Sequence, residues 1–197
     1  MRPSFVGHPV ASVLFACTVG VWAVLENLQA LQQALRRRAD ATSADRGSLF
    51  VVRLCLAAGI VLAALAHKVP ATAVPYHAVV FGIGLGVVWA GIGLRWWCFR
   101  TLGRSFTFTV MTSATQPVVT TGPYRVLRHP SYTGLLFVLG GIGLCSGNWL
   151  SLIALIVLPL AGVLHRIHVE EAALAATLGA AYTTFARHRK RLLPLVW

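Results

Sequence analysis

Two short polar stretches in this 197-residue chain carry side chains able to do chemistry together, Arg128-His129-Pro130-Ser131-Tyr132 and Arg166-Ile167-His168-Val169-Glu170-Glu171. In the first, Pro130 drives His129 out of the helical region, while Pro itself suits the first position of a helix. The apolar run Leu135–Leu144 continues that helix. Its N-terminus, with unpaired N–H groups and partial positive charge, therefore falls beside Arg128, His129 and Tyr132, a good place to hold a polar, partly anionic ligand. The plainer alternative makes Arg125 and Arg128 interfacial anchors and Tyr132 a belt residue at a membrane boundary. In the second stretch, Arg166 and Glu170 are four apart and share a helix face, with Glu171 turned about 100° away. That spacing suits an ordinary helix salt bridge, and equally a pair that orients an acceptor or takes a proton from it. The chain has just five acidic residues and two of them are these neighbours, which points toward function. His165, His168 and Glu171 do not converge at the helix period, so no metal site is expected.

The elements that must position these groups are membrane helices. Hydrophobic residues make up 57% of the chain and charged residues 11%, which excludes an ordinary soluble domain. A formal charge of +12 could suit nucleic acid, but the basic residues fall between apolar spans and read as topology instead. Cys17, Cys55, Cys98 and Cys145 lie in separate apolar stretches, without metal or redox spacing, and read as packing residues.

In order, the expected spans are Val10–Leu31, Ser48–His67, about His77–Phe99, and a tight hairpin of Ser131–Cys145 and Trp149–Leu164 turned by Ser146-Gly147-Asn148. A bilayer crossing takes roughly 20 helical residues, so both hairpin arms are short. Val10–Leu31 has no cleavage pattern and is not read as a removable signal. Glu26, near its end, is placed in the interface in preference to facing a neighbouring helix. Arg36-Arg37-Arg38 with Asp40 and Asp45 makes a hydrophilic loop, and Phe106, Phe108 and Val110 alternate in an ordered or extended segment. Gly82 and Gly86 are expected to form a small-residue packing face on the third span. The last helix is expected to leave the membrane unbroken through Ala172–Phe185. The fold class is thus all-α: a single polytopic membrane domain over residues 1–197, with two N-terminal spans (1–76), a ligand-binding helical core (77–197) and a cytosolic C-terminal helix extension.

Of 17 Lys and Arg residues, all but Arg2 and Lys68 fall at one side of a five-span arrangement. This puts the N-terminus outside, and Gly122–Gly134, Arg166–Glu171 and the C-terminus in the cytoplasm. Arg187, Arg189, Lys190 and Arg191 close the chain as a basic cluster able to touch anionic lipid. Both polar stretches then sit at the same end of one helical hairpin, where they should meet.

Gly122-Pro123-Tyr124, Arg128-His129-Pro130-x-Tyr132-x-Gly134, Arg166-x-x-x-Glu170-Glu171-x-x-Leu174, Gly179-x-x-Tyr182 and Leu193-Pro194 together resemble the isoprenylcysteine carboxyl methyltransferase family and its phospholipid methyltransferase relatives. The resemblance covers about residues 100–197. It implies an all-helical membrane enzyme using S-adenosylmethionine without a Rossmann domain. By it, His129 and Tyr132, with Tyr124, Arg128 and Pro130 of the same stretch, bind the cofactor, and Glu171 helps hold its amino group. Arg166 and Glu170 match the positions facing a lipophilic methyl acceptor. Phe185 departs from the pattern, since many members have a second tyrosine there. The composition suggests a bacterial plasma membrane. Two other readings stand beside this one. An NADPH-dependent sterol or steroid reductase shares an Arg-His-x-x-Tyr core, though with Asn where this chain has Ser131. A non-catalytic membrane protein would use the same loops as anchors. A carboxylate acceptor is favoured, because the charge of Arg166 would repel a cationic amine, while the identity of the acceptor and the oligomeric state stay open.

Overall fold

Apolar helices too long and too exposed to be covered by one another dominate the architecture. The computed structural model describes residues 8–35, 42–43, 45–66, 68–103, 111–112 and 118–194. Among them run α1 Pro9–Leu35, α2 Ser48–Ala66, α3 His77–Leu102, α4 Pro130–Ser146, α5 Trp149–Leu178 and α6 Ala180–Arg187. The two-residue strands β1 Thr42–Ser43 and β2 Met111–Thr112 pair antiparallel, and tight turns form at Pro70–Thr72 and Gly122–Arg125. Arg36–Arg38 and Phe106, Phe108 and Val110 lie outside the described residues.

Pro9–Gln32, Ser48–Ala66, His77–Leu102 and Trp149–Leu178 are long and apolar enough to cross a bilayer. Large side chains such as Val10, Leu31, Phe50, Ile60, Val79 and Ile83 point outward, as lipid contact demands and water would penalise. The shorter α4, 17 residues or about 25 Å, nevertheless runs from end to end of the bundle. At its first turn Tyr132 meets Arg166 of α5. Just past its last turn, the Gly147 carbonyl accepts the Val74 N–H at 2.9 Å, beyond the far end of α2. The hairpin turn is closed by Asn148, whose side chain caps the Ser151 N–H at 3.1 Å and donates to Thr72 Oγ1 at 2.7 Å. The polytopic all-α class expected from sequence is the one observed.

Two close seams fix the helices. On α3 and α4, a Cβ at Gly91 would stand 2.6 Å from the Gly134 carbonyl oxygen, and one at Gly141 would stand 2.7 Å from the Gly84 oxygen. Glycines seven apart on each helix therefore let the two backbones touch. This corrects the expected face: Gly82 and Gly86 meet nothing within 4 Å. Each is two residues from Gly84, a turn of about 200°, so they point to the opposite side. On α2 and α5, a Cβ at Gly162 would lie 3.1 Å from Val52 Cα, and Ser151 Oγ donates to the Ala63 carbonyl at 2.8 Å.

Two further expectations change. Glu26 turns inward and pairs with buried Arg95 of α3, Nη2 to Oε2 at 2.6 Å, and Arg95 also donates to the Ser131 carbonyl at 2.8 Å. In a low-dielectric layer a carboxylate gains more from a facing guanidinium than from a distant interface. The last helix is broken, because Gly179 adopts φ +52°, a conformation costly for any residue with a Cβ. Helix α6 follows and buries Tyr182 and Phe185.

Candidate active site

Pro130 opens α4, and His129 before it is held non-helical at φ −126°, ψ 53°. The N–H groups this frees are taken by the C-terminal segment. Arg128 N–H donates to the Lys190 carbonyl at 2.8 Å and His129 N–H to that of Arg191 at 3.0 Å. Thr133 Oγ1 adds a bond to the Leu192 carbonyl at 2.7 Å. The chain end is thereby strapped along the Arg128–Thr133 stretch.

That strap delivers Arg191 to Glu171. The carboxylate accepts Arg191 Nη2 and Nε on Oε2 at 3.0 and 3.1 Å, and Arg128 Nη1 on Oε1 at 2.7 Å. His129 Nε2 lies 3.2 Å from the same Oε1. A second cluster begins one residue earlier and, as a 100° step dictates, faces elsewhere. Tyr132 Oη donates to Glu170 Oε2 at 2.8 Å and accepts from Arg166 Nε at 2.7 Å. Arg166 Nη1 donates to Asp45 Oδ1 at 2.8 Å and Ser48 Oγ at 3.0 Å. The His129 and Tyr132 rings, stacked with centroids 5.7 Å apart, join the clusters.

The two polar stretches thus come together, with Arg128, His129 and Glu171 in one cluster and Tyr132, Arg166 and Glu170 in the other. Pro130 is buried as the helix start. Tyr124 sits deeper in its turn, its phenol between the side chains of Cys98 and Ser131, and burial above all pushes its pKa up, keeping it neutral. The direct Arg166–Glu170 pair suggested by spacing is replaced: Tyr132 inserts its hydroxyl between them, and among the described residues the ion pair of Arg166 is with Asp45. His168 is exposed, with Nδ1 2.7 Å from the Leu164 carbonyl oxygen of its own helix. Phe185, at the position of the missing tyrosine, packs on Tyr182 and under the Arg189 guanidinium.

Sequence reasoning missed Asp45, Ser48 and Arg191. Asp45 three residues before Ser48, at the edge of an apolar run, is a helix-start pattern. Nothing in that pattern names a partner 121 residues on.

The donor set suits S-adenosylmethionine. Glu171 answers an ammonium, Arg128 and Arg191 answer a carboxylate, and the His129–Tyr132 stack offers a flat face. One buried hydroxyl nearby also lacks a partner: Tyr182 Oη makes no hydrogen bond among the described residues, the approach of Arg128 falling short of one. Burial first, then Glu171 and Glu170, raise the Tyr182 pKa, so it stays a neutral donor.

A lipid-facing bundle with paired charges buried at one end is a polytopic membrane protein with a polar cluster at its boundary. Residues 83–176 match the model of the isoprenylcysteine carboxyl methyltransferase family. Over 122 residues it is 32% identical to protein-S-isoprenylcysteine O-methyltransferase B of Arabidopsis thaliana, covering 61% of this chain and 62% of that protein. A probable protein-S-isoprenylcysteine O-methyltransferase of Oryza sativa subsp. japonica is 31% identical over 116 residues, 58% of this chain and 61% of its own. The solved eukaryotic intramembrane Ras methyltransferase ICMT aligns with a TM-score of 0.61 at 26% identity, over 73% of this chain and 52% of that one. The chain therefore spans less than two thirds of these relatives. Arg128 to Glu171 fall inside the matched residues, whereas Asp45, Tyr182 and Arg191 fall outside them.

Proposed function

We propose that this protein transfers a methyl group from S-adenosylmethionine to a lipophilic carboxylate at the cytoplasmic face of a bacterial plasma membrane. The observation that carries the reading is the junction of the two clusters, a carboxylate ringed by Arg128, His129 and Arg191 beside the chain Asp45–Arg166–Tyr132–Glu170. Relatives named for O-methyl transfer favour it over the reductase reading.

When bound, S-adenosylmethionine supplies a methyl group activated on a sulfonium. Glu171 holds the ammonium end, Arg128 and Arg191 the carboxylate end, and His129 and Tyr132 line the adjoining surface. Arg166 orients the acceptor. A carboxylate is already a nucleophile at neutral pH, so Glu170 need not act as a base toward it; through Tyr132 it helps fix the guanidinium. In-line transfer depends on alignment and on excluding water, which suits a site whose Arg166 side chain is 4% exposed. An acceptor dissolved in the bilayer reaches such a site without passing through water.

Titrating purified protein in detergent with S-adenosylhomocysteine and, separately, NADPH tests the reading. Saturable binding of the first alone is expected. Binding of NADPH alone overturns the assignment.

A further inference from the structure

The two N-terminal spans lie outside the residues that match the family model, yet one of them reaches the charged site. We propose that Asp45, at the start of α2, is a positioning residue that sets the plane of the Arg166 guanidinium for the methyl acceptor. The inference rests on the acceptor role given to Arg166 above.

The guanidinium is held at two edges by two different elements. Helix α4 supplies the Tyr132 hydroxyl to Nε at 2.7 Å, and the start of α2 supplies Asp45 Oδ1 and Ser48 Oγ to Nη1 at 2.8 and 3.0 Å. A planar fork fixed at Nε and Nη1 has little rotational freedom left. Asp45 is itself fixed: its Oδ1 accepts from Ser48 Oγ at 3.0 Å and its Oδ2 from the Leu49 N–H at 3.2 Å. Both donors belong to the first turn of α2, whose partial positive charge further favours the carboxylate. The Gly162 seam then ties α2 to α5, the helix that carries Arg166. Side-chain exposures of 4% for Arg166 and 12% for Asp45 leave little water to screen the pair. Asp45 thus has two separable roles, capping α2 and countering Arg166.

Asp45→Ser separates them. Serine keeps a short hydroxyl acceptor before the first turn of α2 but is too short and uncharged to serve as the partner of Arg166. Asp45→Asn keeps the cap and a neutral acceptor. Wild type and both variants, purified in detergent, are compared for thermal midpoint, S-adenosylhomocysteine affinity, and kcat and KM toward N-acetyl-S-farnesylcysteine and a long-chain fatty acid as acceptors. Asp45→Ser should lower kcat/KM for the acceptor by about 10- to 100-fold, the scale of a lost charge-assisted bond, with cofactor-product affinity within about twofold of wild type. Asp45→Asn should fall between the two, and it carries the test on the same criterion if Asp45→Ser does not fold. Unchanged acceptor kinetics in the variants would overturn the proposal, as would a loss shared equally by acceptor kinetics, cofactor-product affinity and thermal midpoint. A wild-type protein that binds S-adenosylhomocysteine but turns over neither acceptor overturns the acceptor reading itself, and this assignment with it.

Discussion

A tyrosine hydroxyl that accepts from one charged group and donates to another cannot be removed without leaving both short of a partner. Tyr132 stands in that position between Arg166 and Glu170, while its ring stacks on His129. Tyr132→Phe keeps the ring and deletes the bridge. It should therefore leave S-adenosylhomocysteine affinity nearly unchanged and lower turnover by about 5- to 150-fold, or roughly 1–3 kcal/mol for charged groups left unpaired. Calorimetry beside single-turnover rates would check this, and a loss confined to binding would refute it. Glu171→Gln should show the converse. Its carboxylate faces Arg128, His129 and Arg191, so the neutral amide should weaken cofactor-product binding by about 1.5–3 kcal/mol, read by the same titration. Much of this was legible in the sequence. The four-residue spacing and the 100° step put Glu170 and Glu171 in different environments, and the pairing of both stretches followed from hairpin topology. Asp45 and Arg191 were not legible, because each reaches the site through tertiary contacts between segments far apart in sequence.

At the level of elements, the site depends on how closely α4 can approach α3, since α4 begins at Pro130 and carries Tyr132 in its first turn. The Gly84–Gly91 and Gly134–Gly141 faces permit backbone contact, and Arg95 and Glu26 brace the same region from α3 and α1. Gly91→Ala would set a methyl group 2.6 Å from the Gly134 oxygen, where backbone and not a flexible side chain must yield. It should lower stability by about 1–3 kcal/mol, the usual cost of overpacking. Gly82→Ala and Gly86→Ala, with nothing within 4 Å, should be close to neutral. Thermal unfolding in detergent would rank the three, and a neutral Gly91→Ala would contradict the seam. Sequence located the helices to within a few residues, since their hydrophobic runs and Pro130 leave little choice. It chose the wrong glycines because helices glycine-rich on several faces do not reveal which face meets a partner. The break at Gly179 was missed for a related reason: glycine permits a left-handed turn without demanding one.

For the whole molecule, which end faces the cytoplasm is a question of charge. The described structure sorts the ends clearly. Asp45, Arg95, Arg128, Arg166 and the basic residues of Arg187–Arg191 gather at the end that bears the site, whereas Lys68 lies at the opposite end, near Thr72 and Asn148. An excess of Lys and Arg on short connecting segments marks the cytoplasmic side, and this is the ground on which the site end is proposed to be the cytoplasmic one. Tyr76 and His188 are exposed and stand at opposite ends. With Cys17, Cys55, Cys98 and Cys145 replaced by alanine, Tyr76→Cys should react with a membrane-impermeant maleimide in intact cells, and His188→Cys only in inverted vesicles. Reversal of the two would put the site outside, where S-adenosylmethionine is not supplied, and would remove the functional reading while leaving the fold intact. Labelling of both from one side would mean that an odd number of crossings does not separate them, and would overturn the five-span arrangement in which α4 crosses.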